Sequence, residues 1–248
     1  MDICQIIKIT TRLQMARNLS IFFLIFPFCV SAQHLTKSRY GADVLAGIKN
    51  FKASIKVDSN KKMIELKQLI PFIQYDLKYA TQDNFVKQTL YPRLTSVTFL
   101  RLPAANALAN VQKELASKGL GLKIFDAYRP YSVTVKFWEL IKDERYVANP
   151  AKGSGHNRGL AVDITIIELK TGKELDMGTG FDNFTDTAHH TFTILPYKIL
   201  QNRILLKEVM LKHGFKLFET EWWHYSWPND RNYEVMNIKF KKLKKVTN

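Results

Sequence analysis

From about residue 64 the chain carries two hydrophobic rhythms in turn. In "FLRLPAANALANVQKELASKGLG", Leu108, Val111 and Leu115 fall on one helical face, with Pro103 at the start and Gly119 as the stop. "YSVTVKFWELIKD" repeats the rhythm with Val133, Phe137, Leu140 and Ile141, and "PYKILQNRILLKEVMLKHG" predicts a third helix begun by Pro196 and ended by Gly214. "GLKIFDA" reads as a buried strand. "LAVDITI" alternates, sending Val162, Ile164 and Ile166 to one face and Ala161, Asp163 and Thr165 to the other. "FKLFE" and "WWHYSW" predict two more strands near the end. Helices and strands mix without a repeated strand–helix–strand rhythm, a glycine-rich phosphate loop or an internal repeat. The expectation is a single α+β domain with a mostly antiparallel central sheet and flanking helices.

Residues 1–32 stand apart. Lys8, Arg12 and Arg17 precede "LSIFFLIFPFCV", an apolar run too short to span a bilayer, and "VSA" supplies the small residues of a cleavage site. They are expected to be an export signal cleaved near Ala32, with either Met1 or Met15 as the start. Phe28 before Cys29 argues against a lipid anchor there. Residues 33–62, polar and lysine-rich with weak periodicity, are expected to be a loosely ordered N-terminal arm, and 63–248 the folded domain.

Removing the leader takes away Cys4 and Cys29, the only cysteines of the chain. The mature chain then has no disulfide, no thiol nucleophile and no thiolate ligand, so a metal must be held by His, Asp or Glu. It keeps 34 basic and 21 acidic residues, a formal charge of +13. No later stretch is apolar enough to cross a membrane. In an exported protein such charge points to anionic envelope polymers or lipid headgroups, not to nucleic acid. The C-terminal "IKFKKLKKV" concentrates five lysines and reads either as part of such an anion-binding surface or, the preferred reading, as an edge strand blunted by charge.

Six histidines remain to be placed. His34 lies at the new N-terminus, and His213 at a helix end where a cation suits the dipole. His189 and His190 sit in a polar loop and stay open. His156 in "SGHNRG" is either a loop residue or a ligand, and His224 in "ETEWWHYSW" is either a half-buried strand residue or a ligand. Asp163 interrupts a run of strand formers, where a carboxylate is costly unless paired or metal-bound. His156, Asp163 and His224 would make a His₂Asp set with one open position, the pattern of catalytic zinc. Glu221, three residues before His224, is the candidate base beside it; a straight strand would put the two on opposite faces, so a bulge or turn is required.

"SGHNRGLAVD" and "EWWH" resemble the S-x-H-x-x-G-x-A-x-D and E-x-W-H motifs of the D-alanyl-D-alanine dipeptidases and their carboxypeptidase relatives. "DLKYATQDNF" at 76–85, "FDAYRP" at 125–130 and "MGTGFDNFTDTAHH" at 177–190 resemble the dipeptidase branch, so the likeness runs from 76 to 227. The resemblance implies one zinc ion per chain on His156, Asp163 and His224. Glu221 is then the base that takes a proton from the attacking water and passes it to the leaving amine. Arg129 is similar to the arginine that steadies the oxyanion, with Asp126 orienting it. Asp182 resembles the acid that meets the substrate's ammonium, and Ser154 contributes to the same end of the pocket.

The activity implied is zinc-dependent hydrolysis of D-alanyl-D-alanine or similar D,D-dipeptides to free amino acids, outside the cytoplasm. Two other readings are carried forward. One is a D,D-carboxypeptidase or endopeptidase acting on peptidoglycan stem peptides or fragments, which the leader and positive charge favour. The other is a non-catalytic envelope-binding protein, which the carboxylate at Glu221 opposes.

Overall fold

The computed structural model describes residues 35–247; the expected leader, 1–32, lies outside them. Along the chain run β1 (Thr36–Lys37), β2 (Asp43–Leu45), α1 (Ile48–Val57), β3 (Met63–Glu65), α2 (Leu66–Leu69), β4 (Gln74–Tyr75), β5 (Phe99–Arg101), α3 (Leu102–Ala116) and β6 (Leu120–Asp126). They are followed by α4 (Tyr131–Ile141), α5 (Gly155–Arg158), β7 (Ala161–Glu168), α6 (Tyr197–Lys212), β8 (Lys216–Phe218), β9 (Glu221–Ser226), β10 (Val235–Met236) and α7 (Phe240–Thr247). The central sheet has the order β4-β6-β7-β9-β8 and is antiparallel except where β4 meets β6. The α+β class and the mostly antiparallel sheet agree with the sequence reading.

The three predicted helices are α3, α4 and α6. Pro103 lies in the first turn of α3, where its missing N–H costs nothing, and Leu108, Val111 and Leu115 are fully buried. Val162, Ile164 and Ile166 of β7 join Leu122 and Ile124 of β6 in the main core, with Leu108 and Val111 of α3 and Leu206 and Met210 of α6. A second core gathers under α1, α4 and α7, around Phe51, Tyr91, Phe137 and Phe240.

Two expectations are corrected. The segment expected as a loose arm carries β1, β2 and α1, because Ile48, Phe51 and Ile55 form a helical stripe whose centre, Phe51, is completely buried. The lysine-rich C-terminus is the helix α7 and not an edge strand. Phe240, Leu243 and Val246 recur every third residue and pack together into the second core. A strand's period of two would instead have set Phe240 beside Lys242 and Lys244.

Candidate active site

The site grows from one end of the central sheet. Asp163 of β7 pairs in register with Asp126 of β6 on one side and His224 of β9 on the other. Both flanking strands are irregular there. A bulge separates Ile124 from Asp126, and the β8–β9 register slips so that Phe218 faces Glu221 while Leu217 faces Tyr225. That slip is the irregularity that the Glu221/His224 spacing demands. It brings Glu221 Oε2 to 3.9 Å from His224 Nδ1.

His156 arrives on α5, a single turn folded by its own sequence. Ser154 caps it: its side chain accepts from the Asn157 amide while the Asn157 side chain accepts from the Ser154 amide. Gly159 closes the turn at φ +69°, where a Cβ would fall 2.6 Å from Met63. Asn157 also donates to the Arg129 carbonyl at 2.9 Å, and the Arg129 amide donates to the His156 carbonyl at 3.1 Å. The histidine turn and the arginine loop therefore hold each other in place.

His156, Asp163 and His224 are the only group of three or more metal-type donors among the described residues. His156 Nε2 lies 3.4 Å from Asp163 Oδ2 and 3.3 Å from His224 Nδ1, and His224 Nδ1 lies 2.8 Å from Asp163 Oδ1. Tetrahedral zinc with bonds of 2.0–2.1 Å spaces its donors about 3.3 Å apart, so the set has the right size and chemistry for that ion. His156 Nδ1 donates to the Ala127 carbonyl at 2.7 Å, which fixes the ring and turns Nε2 toward the other two donors. Burial works against the charge on Asp163, but the two imidazoles outweigh it and hold the carboxyl below its ordinary range. For His224, burial opposes protonation while the Asp163 hydrogen bond and charge favour it, and its value ends above the ordinary one.

Around this group stand the remaining predicted residues. Burial pushes the Glu221 carboxyl above its ordinary value, and the charge of Asp163 adds to the effect. Arg129 is nearly buried and directs Nε and Nη2 to one oxygen of Asp126, at 2.9 and 2.7 Å. Its guanidinium packs against the rings of both Tyr79 and Phe137, 5.0 and 4.9 Å from their centroids. Burial opposes that charge; Asp126 and its acidic surroundings more than restore it. Asp182 accepts from the Tyr79 hydroxyl at 3.1 Å, and burial together with the charge of Asp163 drives its carboxyl well above the usual range. A carboxylate in that position gains most from an incoming cation. His156, Asp163, His224, Glu221, Arg129, Asp182 and Ser154 all line one cleft. Asp126 stands behind Arg129 and does not line it.

The open histidines are placed elsewhere. His190 is half-buried beside Tyr225, its Nε2 has no partner, and burial with the nearby Lys207 and Arg203 charges brings it down to about 4. His189 lies 3.8 Å from Asp186. His213 meets Glu114 at 2.9 Å at the end of α6. Sequence reasoning missed Tyr79 and Tyr91. Tyr79 sits inside the quoted "DLKYATQDNF" but had no role there. Tyr91, whose hydroxyl donates to Asp126 at 2.5 Å, had no signal at all, since nothing local marks a tyrosine 35 residues from its partner.

Residues 59–243 match the family profile described as D-ala-D-ala dipeptidase. The D-alanyl-D-alanine dipeptidase of Escherichia coli (strain K12) is 33% identical over 179 residues, covering 72% of this chain and 91% of that protein. The D-alanyl-D-alanine dipeptidase of Enterococcus faecalis (strain ATCC 700802 / V583) is 32% identical over 178 residues, covering 64% and 88%. Among solved structures, the LdcB LD-carboxypeptidase aligns with a TM-score of 0.35 and 22% identity, over 60% of this chain and 64% of that one. VanYB in complex with D-alanine-D-alanine aligns with a TM-score of 0.36 and 16% identity, over 63% and 81%.

Proposed function

The chain belongs to the D-Ala-D-Ala dipeptidase family, and from that membership and the cleft's geometry we propose that it hydrolyses D-alanyl-D-alanine or similar D,D-dipeptides to free amino acids. It is a D,D-peptidase with zinc as cofactor. The observation that carries the finer reading is the convergence, in one cleft, of a His–Asp–His donor set, a second carboxylate and a buried guanidinium. A non-catalytic binding protein would have no use for the last two, and its place in a family of peptidases sets that reading aside.

His156, Asp163 and His224 would hold the zinc. When bound, zinc acts as a Lewis acid toward the scissile carbonyl and makes water a nucleophile near neutral pH. Glu221 supplies the base: a carboxylate lifted by burial accepts a proton from the attacking water and returns it to the leaving amine. Arg129 faces the negative charge that develops on the carbonyl oxygen. Clamped by Asp126 and packed against two rings, it needs little reorganisation to do so. Asp182, held by Tyr79, receives the substrate's ammonium, and Ser154 contributes at that end of the cleft.

The basic residues and apolar run of 8–32 support export, so the substrate would be dipeptide released from peptidoglycan. No helix of the described residues is long and apolar enough to cross a membrane. The test is turnover of free D-alanyl-D-alanine by zinc-loaded protein, beside intact pentapeptide stems. Cleavage of the dipeptide with stems untouched supports the dipeptidase; cleavage of stems alone would replace it with a D,D-carboxypeptidase.

A further inference from the structure

Two helices at the chain's ends carry lysine and no acid. α1 presents Lys49, Lys52 and Lys56 on its solvent side, at spacings of three and four that align them in one stripe. Lys239 and, on α7, Lys241, Lys242, Lys244 and Lys245 are likewise exposed. Residues 44–57 and 235–248 contain no Asp or Glu. None of these eight lysines has an ion-pair partner among the described residues, a state they share with lysines such as Lys113 and Lys198; what sets them apart is their density in two acid-free segments.

The topology joins the two helices. β2 and β10 are adjacent and parallel, with Val44 opposite Val235 and Leu45 opposite Met236. Each strand runs directly into its helix, so α1 and α7 leave the sheet at the same end. Ile48, Phe51 and Ile55 then share one buried cluster with Phe240, Leu243 and Val246. With both apolar sides packed inward, the lysines are left facing out.

We propose that the outer faces of α1 and α7 form a docking surface for an extended polymer that bears phosphate groups at regular intervals. Unpaired like charges held this close raise the energy of the free protein, and a polyanion relieves it while releasing its own counterions. Every cation of the face is a lysine, which meets phosphate as a point charge. No arginine in either helix offers the planar fork that grips a carboxylate in two places. A membrane-surface helix inserts its apolar side, and α7 has already buried Phe240 and Leu243 in the protein core. Docking of this kind would hold the enzyme beside the envelope material that releases its substrate. The surface is distinct from the cleft, so the proposal stands or falls independently of dipeptide hydrolysis.

The test is binding of the full zinc-loaded chain to long-chain inorganic polyphosphate, with polyglutamate and phosphatidylglycerol vesicles in parallel. Polyphosphate should bind best, and a fourfold rise in salt should weaken it by more than about tenfold. Lys241→Gln/Lys242→Gln/Lys244→Gln/Lys245→Gln and Lys49→Gln/Lys52→Gln/Lys56→Gln should each lose most of that affinity with turnover unchanged. Lys113→Gln/Lys118→Gln/Lys198→Gln, which removes comparable charge elsewhere, should keep it. Equal loss in all three variants, loss in none, or tighter binding to vesicles or polyglutamate would overturn the proposal. In the unsubstituted chain, polyphosphate should shield the α1 and α7 lysines from amine acetylation, read by mass spectrometry, and leave Lys113, Lys118 and Lys198 reactive. Uniform reactivity would overturn it too.

Discussion

Arg129 gives two of its donors to a single oxygen of Asp126, and the second oxygen accepts from the Tyr91 hydroxyl at 2.5 Å and the Ala127 amide at 2.9 Å. The aspartate is fully buried, so both oxygens are committed and the arginine has one orientation. Tyr91→Phe removes one of those bonds while leaving the ring packed on Phe240. The loss of a buried hydrogen bond costs about 1–3 kcal/mol. Its catalytic share should appear as a fall in kcat of roughly tenfold with KM little changed. An unchanged kcat would show that Asp126 holds Arg129 without help.

Glu221→Gln keeps the shape of the side chain and deletes its basicity. The expected loss in kcat is about 10²- to 10⁴-fold, with zinc content unchanged by metal analysis. Arg129→Lys keeps the charge but loses the two-donor clamp and the planar contact with the two rings, and should cost about 10²-fold or more in kcat/KM.

Zinc content discriminates between the histidines. His156→Ala should fall well below one zinc per chain and lose turnover, whereas His190→Ala should keep both, because His190 lies outside the donor group. A chelator should abolish activity and added zinc should restore it.

Asp182→Asn tests the ammonium pocket. The carboxylate is half-buried, bonded to Tyr79 and short of a cation. Removing its charge should raise KM for the dipeptide much more than it lowers kcat, and should matter little for a substrate whose amine is acetylated.

A pH effect on stability arises away from the cleft, at Glu234. This side chain meets Lys61 at 2.6 Å and the fully buried Arg101 at 3.1 Å. Burial opposes the carboxylate's charge, but the Lys61 hydrogen bond and the Arg101 charge hold it below its ordinary value. A depressed folded value means that the contribution is complete above the unfolded value, near 4.3, and is lost as pH falls through the folded one. Glu234→Gln should cost about 3–5 kcal/mol at neutral pH by stranding Arg101, and the difference from the parent should shrink in acid. Chemical denaturation at both pH values measures it.

The sequence by itself determined the elements whose signal is local. Pro103 and Gly119 bracket α3, the alternation of Val162, Ile164 and Ile166 makes β7, and the Ser154–Gly159 turn carries its cap and its stop within six residues. It also pointed to His156, Asp163 and His224, which the resemblance to the dipeptidases implies as a ligand set and which lie together in the structure. Weak periodicity hid α1, and lysine density hid α7; both are helices because a single apolar stripe found a core to cover. Only the tertiary structure decided how closely His224 meets His156 and Asp163, and that Tyr79 and Tyr91 stand behind Asp182 and Asp126. Asp163 and His224 meet across two strands, and strand register is set by the fit of the whole sheet and its two bulges, while Tyr79 and Tyr91 come from segments far along the chain from their partners.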